Sequence, residues 1–450
     1  MPTLVLLATA VPIGLLAGAD PKLALVAVLA LGFAAVVLTD LTLGLCMFAV
    51  ISFLDVLPFG GIALTFAKVA GFLLVLSWMA GRAEHADRRG EYFGVHPVLT
   101  YLIIAFLAWG LSSMLWAEDP SSVMSAMIRY GLNLALFVIV FAAVRSERAV
   151  TWVAASFLIG SLVAAAFGLL TPADPASADD ISRLGGGGND PNELAAVLVT
   201  GIVFAAAFLA GDFPPLLRLL AIGAMGVCAT GVLLSFSRTG LVALAVALMA
   251  AVLFGGRWRQ GALVLLIVLA GGVTIYIASF AGEAQRERVT KLDGGTGRQD
   301  IWTVGMRMIE ANPTSGVGAG NFPVSSVHYL LQPGAIERAE FIVDTPKVAH
   351  NIFIEVWAEL GLVGFALFMA IVGSSVTFAA RAARAFKRMG NERMELFARA
   401  ILVSQLAFLS AGFFLSEEFS KQLWLLLALG PAIFAISRSA DDRSEEAVPA

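Results

Sequence analysis

The sequence predicts an all-α polytopic membrane protein with about 12–14 transmembrane helices and one long outer loop. Hydrophobic residues make up 59% of the 450 residues and charged residues only 14%, whereas soluble domains carry about 25% charged residues. Apolar runs long enough to cross a bilayer recur along the whole chain. These runs do not alternate polar and apolar residues, which argues against a β-barrel.

The apolar runs give the order of the predicted spans. Those before the polar stretch cover 4–18, 22–38, 41–57, 64–80, 97–116, 127–144, 151–170, 192–210, 216–234, 239–254 and 260–280. Those after it cover 352–378, 398–415 and 420–437. Because the first three runs are short and poorly separated, the pattern predicts a range rather than one number of spans.

The first run imitates a signal peptide, since Ala17-Gly18-Ala19 has the form of a cleavage site. It lacks a basic start and another apolar run follows at once, so we expect it to be retained as the first span. Cys46 and Cys228 both lie inside apolar runs and suggest neither a disulfide nor a metal site.

Lys and Arg alternate between the short loops, and cytoplasmic loops carry the excess. The richer loops hold Arg82, Arg88, Arg89, Arg145, Arg148, Arg218, Arg257, Arg259, the cluster 381–399, Arg438 and Arg443. We therefore expect both termini inside and the polar loop outside. This divides the chain into N-terminal transmembrane helices (1–281), an outer loop with short amphipathic helices (282–350), C-terminal transmembrane helices (351–437) and a cytoplasmic tail (438–450).

The outer loop is predicted to contain a short helix. A glycine-rich breaker at 294–297 precedes Arg298, and Asn312-Pro313 ends the helical pattern after Glu310. We expect the apolar side of this helix to rest on the membrane, with Trp302 at headgroup level; that side carries Ile301, Trp302, Met308 and Ile309. The following GVGAGN segment (316–321) lacks the residues of a nucleotide-binding loop and is predicted to be a flexible turn.

Arginines on the outer side are candidate anion-binding residues. Arg298 falls in the first turn of the predicted helix, where free backbone N–H groups and the helix dipole favour a phosphate. Arg238 lies in a very short outer turn, SFSRTGL, close to membrane depth. Arg183 and Asn192 belong to another outer loop and are candidates for polar contacts. Asp179-Asp180 in that loop is the nearest approach to a metal site, and we interpret it as a solvated polar loop.

His350 is the candidate catalytic residue because it lies where the polar loop meets the next apolar helix. A neutral-pH imidazole is the usual general base for a hydroxyl group. Positions 350, 354, 357, 361 and 364 are predicted to share one helical face, on which Gly361 and Gly364 permit close helix packing. Glu355 and Glu359 lie on other faces, where we expect them to pair with arginines or to face the bundle interior.

Four motifs in order resemble those of the O-antigen ligase and O-antigen polymerase family. They are SFSRTG (Ser235–Gly240), GRQDIW (Gly297–Trp302), NPTSGVGAGNF (Asn312–Phe322) and His350-Asn351 followed by Gly361 and Gly364. The resemblance implies a GT-C-like helical fold in the bacterial cytoplasmic membrane, with the active site facing the periplasm or cell exterior. It also implies a metal-independent, cofactor-free, inverting glycosyltransferase that uses an undecaprenyl-diphosphate-linked glycan.

On this resemblance His350 is the base, and Arg238 and Arg298 bind the diphosphate. Supporting residues would be Arg183, Asn192, Arg307, Asn351 and Glu355. The absence of an acceptor-specific appendage favours a surface-polysaccharide polymerase, with an O-antigen ligase acting on lipid A core or protein as the alternative. A lipid-linked oligosaccharide or polysaccharide transporter is the alternative of another class. The expected partners are the lipid-linked donor, an acceptor glycan, membrane lipids and a chain-length regulator or flippase, with no nucleic acid.

Overall fold

The computed structural model describes residues 14–446 except 19, 54–65, 85–93, 171–183, 185–189, 281, 283–285, 287–297, 331–347 and 417. Within these ranges the regular structure is entirely helical, with no strand. The predicted all-α class is therefore confirmed. Arg183 and Asp179-Asp180 lie outside the described residues, as does most of the first apolar run, 4–18.

The principal helices follow the order of the apolar runs. They are α1 (Pro21–Thr39), α2 (Leu41–Ser52), α3 (Phe66–Glu84), α4 (Pro97–Ser112), α5 (Pro120–Ala143), α6 (Glu147–Leu170), α7 (Pro191–Ala210), α8 (Pro215–Leu234), α9 (Arg238–Phe254), α10 (Arg259–Ser279), α11 (Arg298–Ala311), α12 (Ile352–Arg388), α13 (Glu392–Ala411) and α14 (Lys421–Glu446). Nine of the helices in the described ranges are long and apolar enough to cross a membrane, and three shorter apolar helices accompany them. The exact number of spans stays a prediction.

Several helices begin earlier than the apolar run that predicts them. Asp119 caps α5 by accepting the N–H of Ser121, and Pro120 occupies the first turn. The run that predicts this helix starts only at residue 127. The first turns of α5 and α13 are polar, so they belong to the helix without belonging to the hydrophobic run.

The core of the bundle forms around α13. This helix packs against α7, α9, α12 and α14, and most of its apolar span is buried within the protein. Aromatic rings from α5, α12 and α14 fill the adjacent space, with Tyr130, Phe137 and Phe368 each within 6.3 Å of Trp424. In contrast, α10 has no buried residue and lies at the periphery.

The two ends of the bundle differ in charge. At one end, the loops 144–146, 211–214, 255–258 and 389–391 are joined by polar contacts, for example from Asn391 Nδ2 to Glu147 Oε1 at 2.6 Å and from Arg393 to the carbonyl of Asp212 at 2.9 Å. We call this the arginine end. The opposite end, which contains the first residues of α5, α7, α9 and α12, we call the His350 end. The structure thus groups the loops as their Lys and Arg content predicts.

Candidate functional site

Helix α11 packs on the protein at the His350 end. It begins at Arg298, as the sequence predicts, and ends at Ala311 directly before Asn312-Pro313. Its apolar side chains are buried in a small cluster with Phe322, Ala349 and Ala358. The expectation that this side rests on the membrane is therefore wrong, because residues 317–322 and the start of α12 cover it.

Trp302 links α11 to the residue before His350. Its indole Nε1 donates a hydrogen bond to the carbonyl of Ala349 at 3.0 Å, and its ring lies 6.1 Å from that of Phe414. A tryptophan held in this way serves as an anchor within the protein, so its predicted headgroup role is not needed to explain its position. Through this contact the helix that carries Arg298 is tied to the histidine.

His350 occupies an unusual backbone conformation. Its φ is +50°, a region that non-glycine residues with a bulky side chain seldom adopt. Its N–H donates to Ser416 Oγ at 2.9 Å. His350 precedes helix α12 instead of beginning it, because Asn351 is the capping residue.

Asn351 is the residue that caps α12. Its Oδ1 accepts the N–H groups of Phe353 at 3.0 Å and Ile354 at 3.1 Å. The predicted supporting role of Asn351 is thus structural, since the amide fixes the helix start beside His350. The N–H of Ile352 adds contacts to the carbonyls of Gly412 and Leu415 at 2.9 and 3.1 Å.

Glu355 reaches the histidine backbone through Ser416. The Ser416 hydroxyl donates to Glu355 Oε2 while its oxygen accepts the N–H of His350. Glu355 is 2% exposed, so the interior position that the sequence allows is confirmed. Ser416 carries no motif in the sequence, and its role emerges only when the loop between α13 and α14 is placed against α12.

The glycine-rich segment after Pro313 (residues 314–322), which we call the plug, is held in place by hydrogen bonds. It is not the flexible turn that we expected. Val317 and Gly318 donate their N–H groups to the carbonyls of Ala358 and Glu359 at 2.9 and 2.8 Å, and the N–H of Leu362 donates to the carbonyl of Pro313 at 2.8 Å. Nearby, Trp109 Nε1 donates to the carbonyl of Leu360 at 2.8 Å. The segment thus supplies the partners that a break in α12 leaves open.

That break is at Gly361, where φ is 64° and ψ is −172°. A Cβ at Gly361 would lie 2.1 Å from the carbonyl oxygen of Thr314. The prediction of one continuous face through 350, 354, 357, 361 and 364 is therefore wrong, because the break interrupts the helical period. Gly364 does permit a close approach, since its Cβ would lie 3.1 Å from a ring carbon of Trp109.

Glu359 holds the same segment with its side chain. Its carboxylate accepts the N–H of Gly320 at 2.7 Å and that of Phe322 at 3.1 Å while being 2% exposed. Both bonds go to backbone amides, so the partners differ from the arginines that the sequence suggested. Asn321 extends the contact to α5 by accepting the N–H of Asp119 at 2.8 Å.

Arg238 and Asn192 are brought together at the His350 end. Ser237 caps α9, and its Oγ donates to Asn192 Oδ1 at 2.6 Å. A Cβ on Gly240 would lie 2.4 Å from that of Ala195, which shows how closely α9 approaches α7. Arg238 is the first residue of α9 and is exposed, as its place in a short outer turn predicts.

Arg307 is a structural residue in this arrangement. It is 8% exposed, and its Nη1 donates to the carbonyls of Tyr329 and Leu330 at 2.8 and 3.3 Å. Its guanidinium therefore fixes residues 329–330 against α11. Its predicted supporting role at the site stays a prediction.

Glu418 is a buried carboxyl in the loop between α13 and α14. It is 2% exposed, and burial raises the pKa of its carboxyl to about 8, with further electrostatic contributions from Glu359 and Glu193, which raise it, and from Arg129, which lowers it. Glu193 follows Asn192 at the start of α7, whereas Glu359 belongs to α12. No sequence motif pointed to Glu418.

The three residues predicted to act in the reaction are one imidazole on a fixed backbone and two arginines that begin helices. Arg298 and Arg238 are each the first residue of their helix, α11 and α9. Such positions favour phosphate groups because helix N-termini present free N–H groups and positive dipole ends. Among the described residues, no group of three His, Cys, Asp or Glu side chains is placed to hold a metal ion.

Comparison with known proteins identifies a domain and a relative. Residues 223–369 match the model of the O-antigen ligase family. The O-antigen ligase of Pseudomonas aeruginosa (strain PAO1) is 28% identical over 357 residues, which is 72% of this chain and 77% of that protein. The family match covers α11, the plug after Pro313, His350 and the break at Gly361. It therefore agrees with the resemblance that the sequence motifs indicate.

Proposed function

Because the chain carries an O-antigen ligase domain and so belongs to the O-antigen ligase and polymerase family, we propose that it transfers a glycan from an undecaprenyl-diphosphate-linked donor to an acceptor hydroxyl. The family match and the similar ligase support a lipid-linked glycan ligase or polymerase. The observation that carries the proposal is the fixed backbone around His350. Two separate segments hold residues 349–352: α11 through Trp302, and the loop after α13 through Gly412 and Ser416.

In the proposed reaction His350 is the general base. The imidazole removes the proton from the acceptor hydroxyl as its oxygen attacks the anomeric carbon of the donor sugar. The bond from that carbon to the diphosphate oxygen breaks, and the lipid diphosphate leaves with the bonding electrons. Attack opposite the leaving group inverts the configuration. A general base contributes roughly 10²–10⁴ in rate.

Arg238 and Arg298 are proposed to bind the diphosphate. A guanidinium stays charged at any working pH and can grip a phosphate with two parallel hydrogen bonds. Stabilising the negative charge that develops on the leaving group is the task that a metal ion performs in other transferases. Purified protein is accordingly expected to keep its activity in excess EDTA, and restoration by Mg²⁺ after EDTA inhibition would contradict metal independence.

The remaining candidates support these three residues. Asn192 fixes the turn before Arg238 through Ser237, and Asn351 and Glu355 fix the backbone at His350. Arg307 holds residues 329–330. Arg183 is kept as a candidate contact on the sequence argument alone. The expected partners are the lipid-linked donor, the acceptor glycan, membrane lipids and a chain-length regulator or flippase.

A transporter remains the alternative of another class, and the broken helix α12 is the observation in its favour. Transporters commonly place interrupted helices and ionisable groups at their substrate site. Here, however, the groups freed at Gly361 are bonded to the plug after Pro313 and to Trp109. A break whose N–H and C=O groups are taken by the protein itself supports a structural role, and this supports the enzyme.

The His350 end is proposed to face the periplasm of the bacterial cytoplasmic membrane. Support comes from the arginine-rich loops, which gather at the opposite end and would be cytoplasmic. Cysteines placed at His328 and Arg388 test this orientation in intact cells. A membrane-impermeant reagent should label position 328 and spare position 388; labelling of position 388 alone would reverse the topology.

The acceptor is the finer question. The similarity to a protein named as an O-antigen ligase favours a ligase, whereas the sequence analysis favours a polymerase. The glycans of a deletion strain separate these cases. Loss of a ligase leaves long chains on the diphosphate lipid and a bare acceptor, and loss of a polymerase leaves single repeat units on the acceptor. Short units confined to the inner leaflet would indicate a transporter and contradict the proposal.

A further inference from the structure

A cavity at the arginine end lies between the last turns of α12 and α14. Its volume is about 330 Å³. It is lined by Arg381, Arg384, Ala385, Arg388, Phe434, Ser437 and Arg438. At roughly 30 Å³ of liquid volume per water molecule, the cavity has room for about ten waters.

The four arginines converge on this cavity from two helices. Arg381, Arg384 and Arg388 recur at the spacing that places residues on one face of α12. Arg438 approaches from α14, one turn after Phe434. The Phe434 ring stacks on Phe378 at a centroid distance of 5.2 Å, which fixes the apolar part of the wall. All four arginines are exposed on the surface of the protein, so a ligand that is not part of the protein can reach them.

Within the described part of the chain, the positive charge of this cavity has no acidic partner. Among the side chains that the structure describes, no carboxylate pairs with any of the four guanidiniums. Other arginines at the same end do have carboxylate partners: Arg257 pairs with Glu392, and Arg399 contacts Glu395 at 2.7 Å. Four like charges around one cavity repel one another unless an anion separates them.

We propose that this cavity binds a phosphate-bearing anion, and that its usual occupant is the headgroup of an anionic phospholipid in the leaflet at the arginine end. Guanidinium groups hold phosphate bidentately. Basic pockets between transmembrane helices on the cytoplasmic side are typical sites for lipid headgroups with more than one phosphate. The apolar wall at Phe434 suits the first carbons of an acyl chain. This site is separate from the transfer reaction and does not depend on it.

The simpler explanation is that these arginines only flank the membrane and bind no specific ligand. Substitutions can distinguish this explanation from a phosphate-binding site. The pocket variant is Arg381→Gln/Arg384→Gln/Arg438→Gln. The matched control, Arg145→Gln/Arg148→Gln/Arg259→Gln, removes the same charge from exposed positions at the same end but away from the cavity. Both are made in the full chain, purified in a neutral detergent.

Binding is measured by native mass spectrometry and by the shift in thermal unfolding temperature on adding ligand. Three probes are compared: cardiolipin, phosphatidylcholine and inorganic pyrophosphate. The site predicts one tightly bound cardiolipin and a stabilising shift for the unmodified protein and the control variant. In the pocket variant the affinity for cardiolipin should fall roughly 100-fold. If pyrophosphate binds the unmodified protein as tightly as cardiolipin does, the cavity is a phosphate site for a soluble anion, and the lipid as its usual occupant is contradicted.

Equal binding by the pocket and control variants, with every probe, would overturn the proposal and leave the arginines as ordinary flanking charges. A cardiolipin effect that phosphatidylcholine reproduces would do the same, because the anionic headgroup would then be irrelevant. If the triple variant is poorly produced, Arg384→Gln/Arg438→Gln against Arg148→Gln/Arg259→Gln gives the same comparison with a smaller expected loss.

Discussion

The backbone N–H of His350 donates a hydrogen bond to Ser416 Oγ at 2.9 Å. This contact joins residues that are 66 positions apart in the chain, and it holds the histidine in a conformation with φ of +50°. The same hydroxyl donates to Glu355. Ser416 is thus the residue through which α12 and the loop after α13 set the position of the proposed base.

Ser416→Ala should lower the transfer rate without abolishing insertion into the membrane. The substitution removes one hydrogen bond from the His350 N–H and one from the buried Glu355 carboxyl, which costs about 1–3 kcal/mol of stability. A displaced base should reduce the rate roughly tenfold. Ser410→Ala is the control, because that hydroxyl bonds only to the Ala407 carbonyl within its own helix. Equal activity of the two variants in a membrane transfer assay would remove Ser416 from this role.

Gly361→Ala should destabilise the protein. The new Cβ would meet the carbonyl of Thr314 at 2.1 Å, and alanine disfavours the φ of 64° that the break requires. We expect a loss of more than about 2 kcal/mol, seen as a lower thermal unfolding temperature in detergent.

Gly373→Ala in the same helix provides the control for the break. A Cβ at Gly373 would meet no atom within 4 Å, and alanine is the better helix former by about 1 kcal/mol. This variant should be as stable as the parent protein or more so. Equal unfolding temperatures of Gly361→Ala and Gly373→Ala would contradict the prediction, because they would show that the break at Gly361 is not needed for stability.

Stability should fall as the pH rises from about 4.5 to about 8. Burial raises the pKa of Glu418 from 4.5 to about 8, so in this window the folded protein holds a proton that the unfolded chain releases. Folding is therefore favoured at the acid side of the window and loses this contribution above the folded pKa. Glu418→Gln, measured by thermal unfolding across this range, should reduce the slope. An unchanged slope would contradict the assignment.

Arg238→Lys and Arg298→Lys should each lower the transfer rate by roughly 10–100-fold, since lysine keeps the charge but loses the planar fork. Arg286→Lys is the control, because Arg286 is an exposed arginine at the same end that donates to the carbonyl of Ala278 at 2.6 Å. Steady-state rates with a purified lipid-linked donor give the comparison. Full activity of both lysine variants would show that only the positive charge at these positions is needed, and would contradict bidentate binding of the diphosphate.

The sequence predicted those features that depend on local pattern. The start of α11 at Arg298 and its end before Asn312-Pro313 follow from the glycine breaker and the proline. Amphipathicity also revealed the apolar side of α11. It could not reveal what covers that side, because a membrane and a protein surface demand the same residues.

The contacts that were missed join segments that are distant in the chain. Ser416, Glu359 and Glu418 acquire their roles from neighbours on other helices. Gly361 was read as a packing glycine because a glycine three residues from another suits close helix contact as well as a break. Only the carbonyl of Thr314 next to it decides between these two interpretations.

The most direct test of the proposed reaction is the transfer rate of purified His350→Ala with an undecaprenyl-diphosphate-linked glycan and a suitable acceptor. His328→Ala is the control, since His328 is exposed and bonded to Glu118 at 3.0 Å. We expect His350→Ala to lose about 10²–10⁴ in rate while it unfolds at the same temperature as the control, which should stay active. A well-folded His350→Ala protein that transfers glycan at the rate of the control would contradict the assignment of His350 as the base.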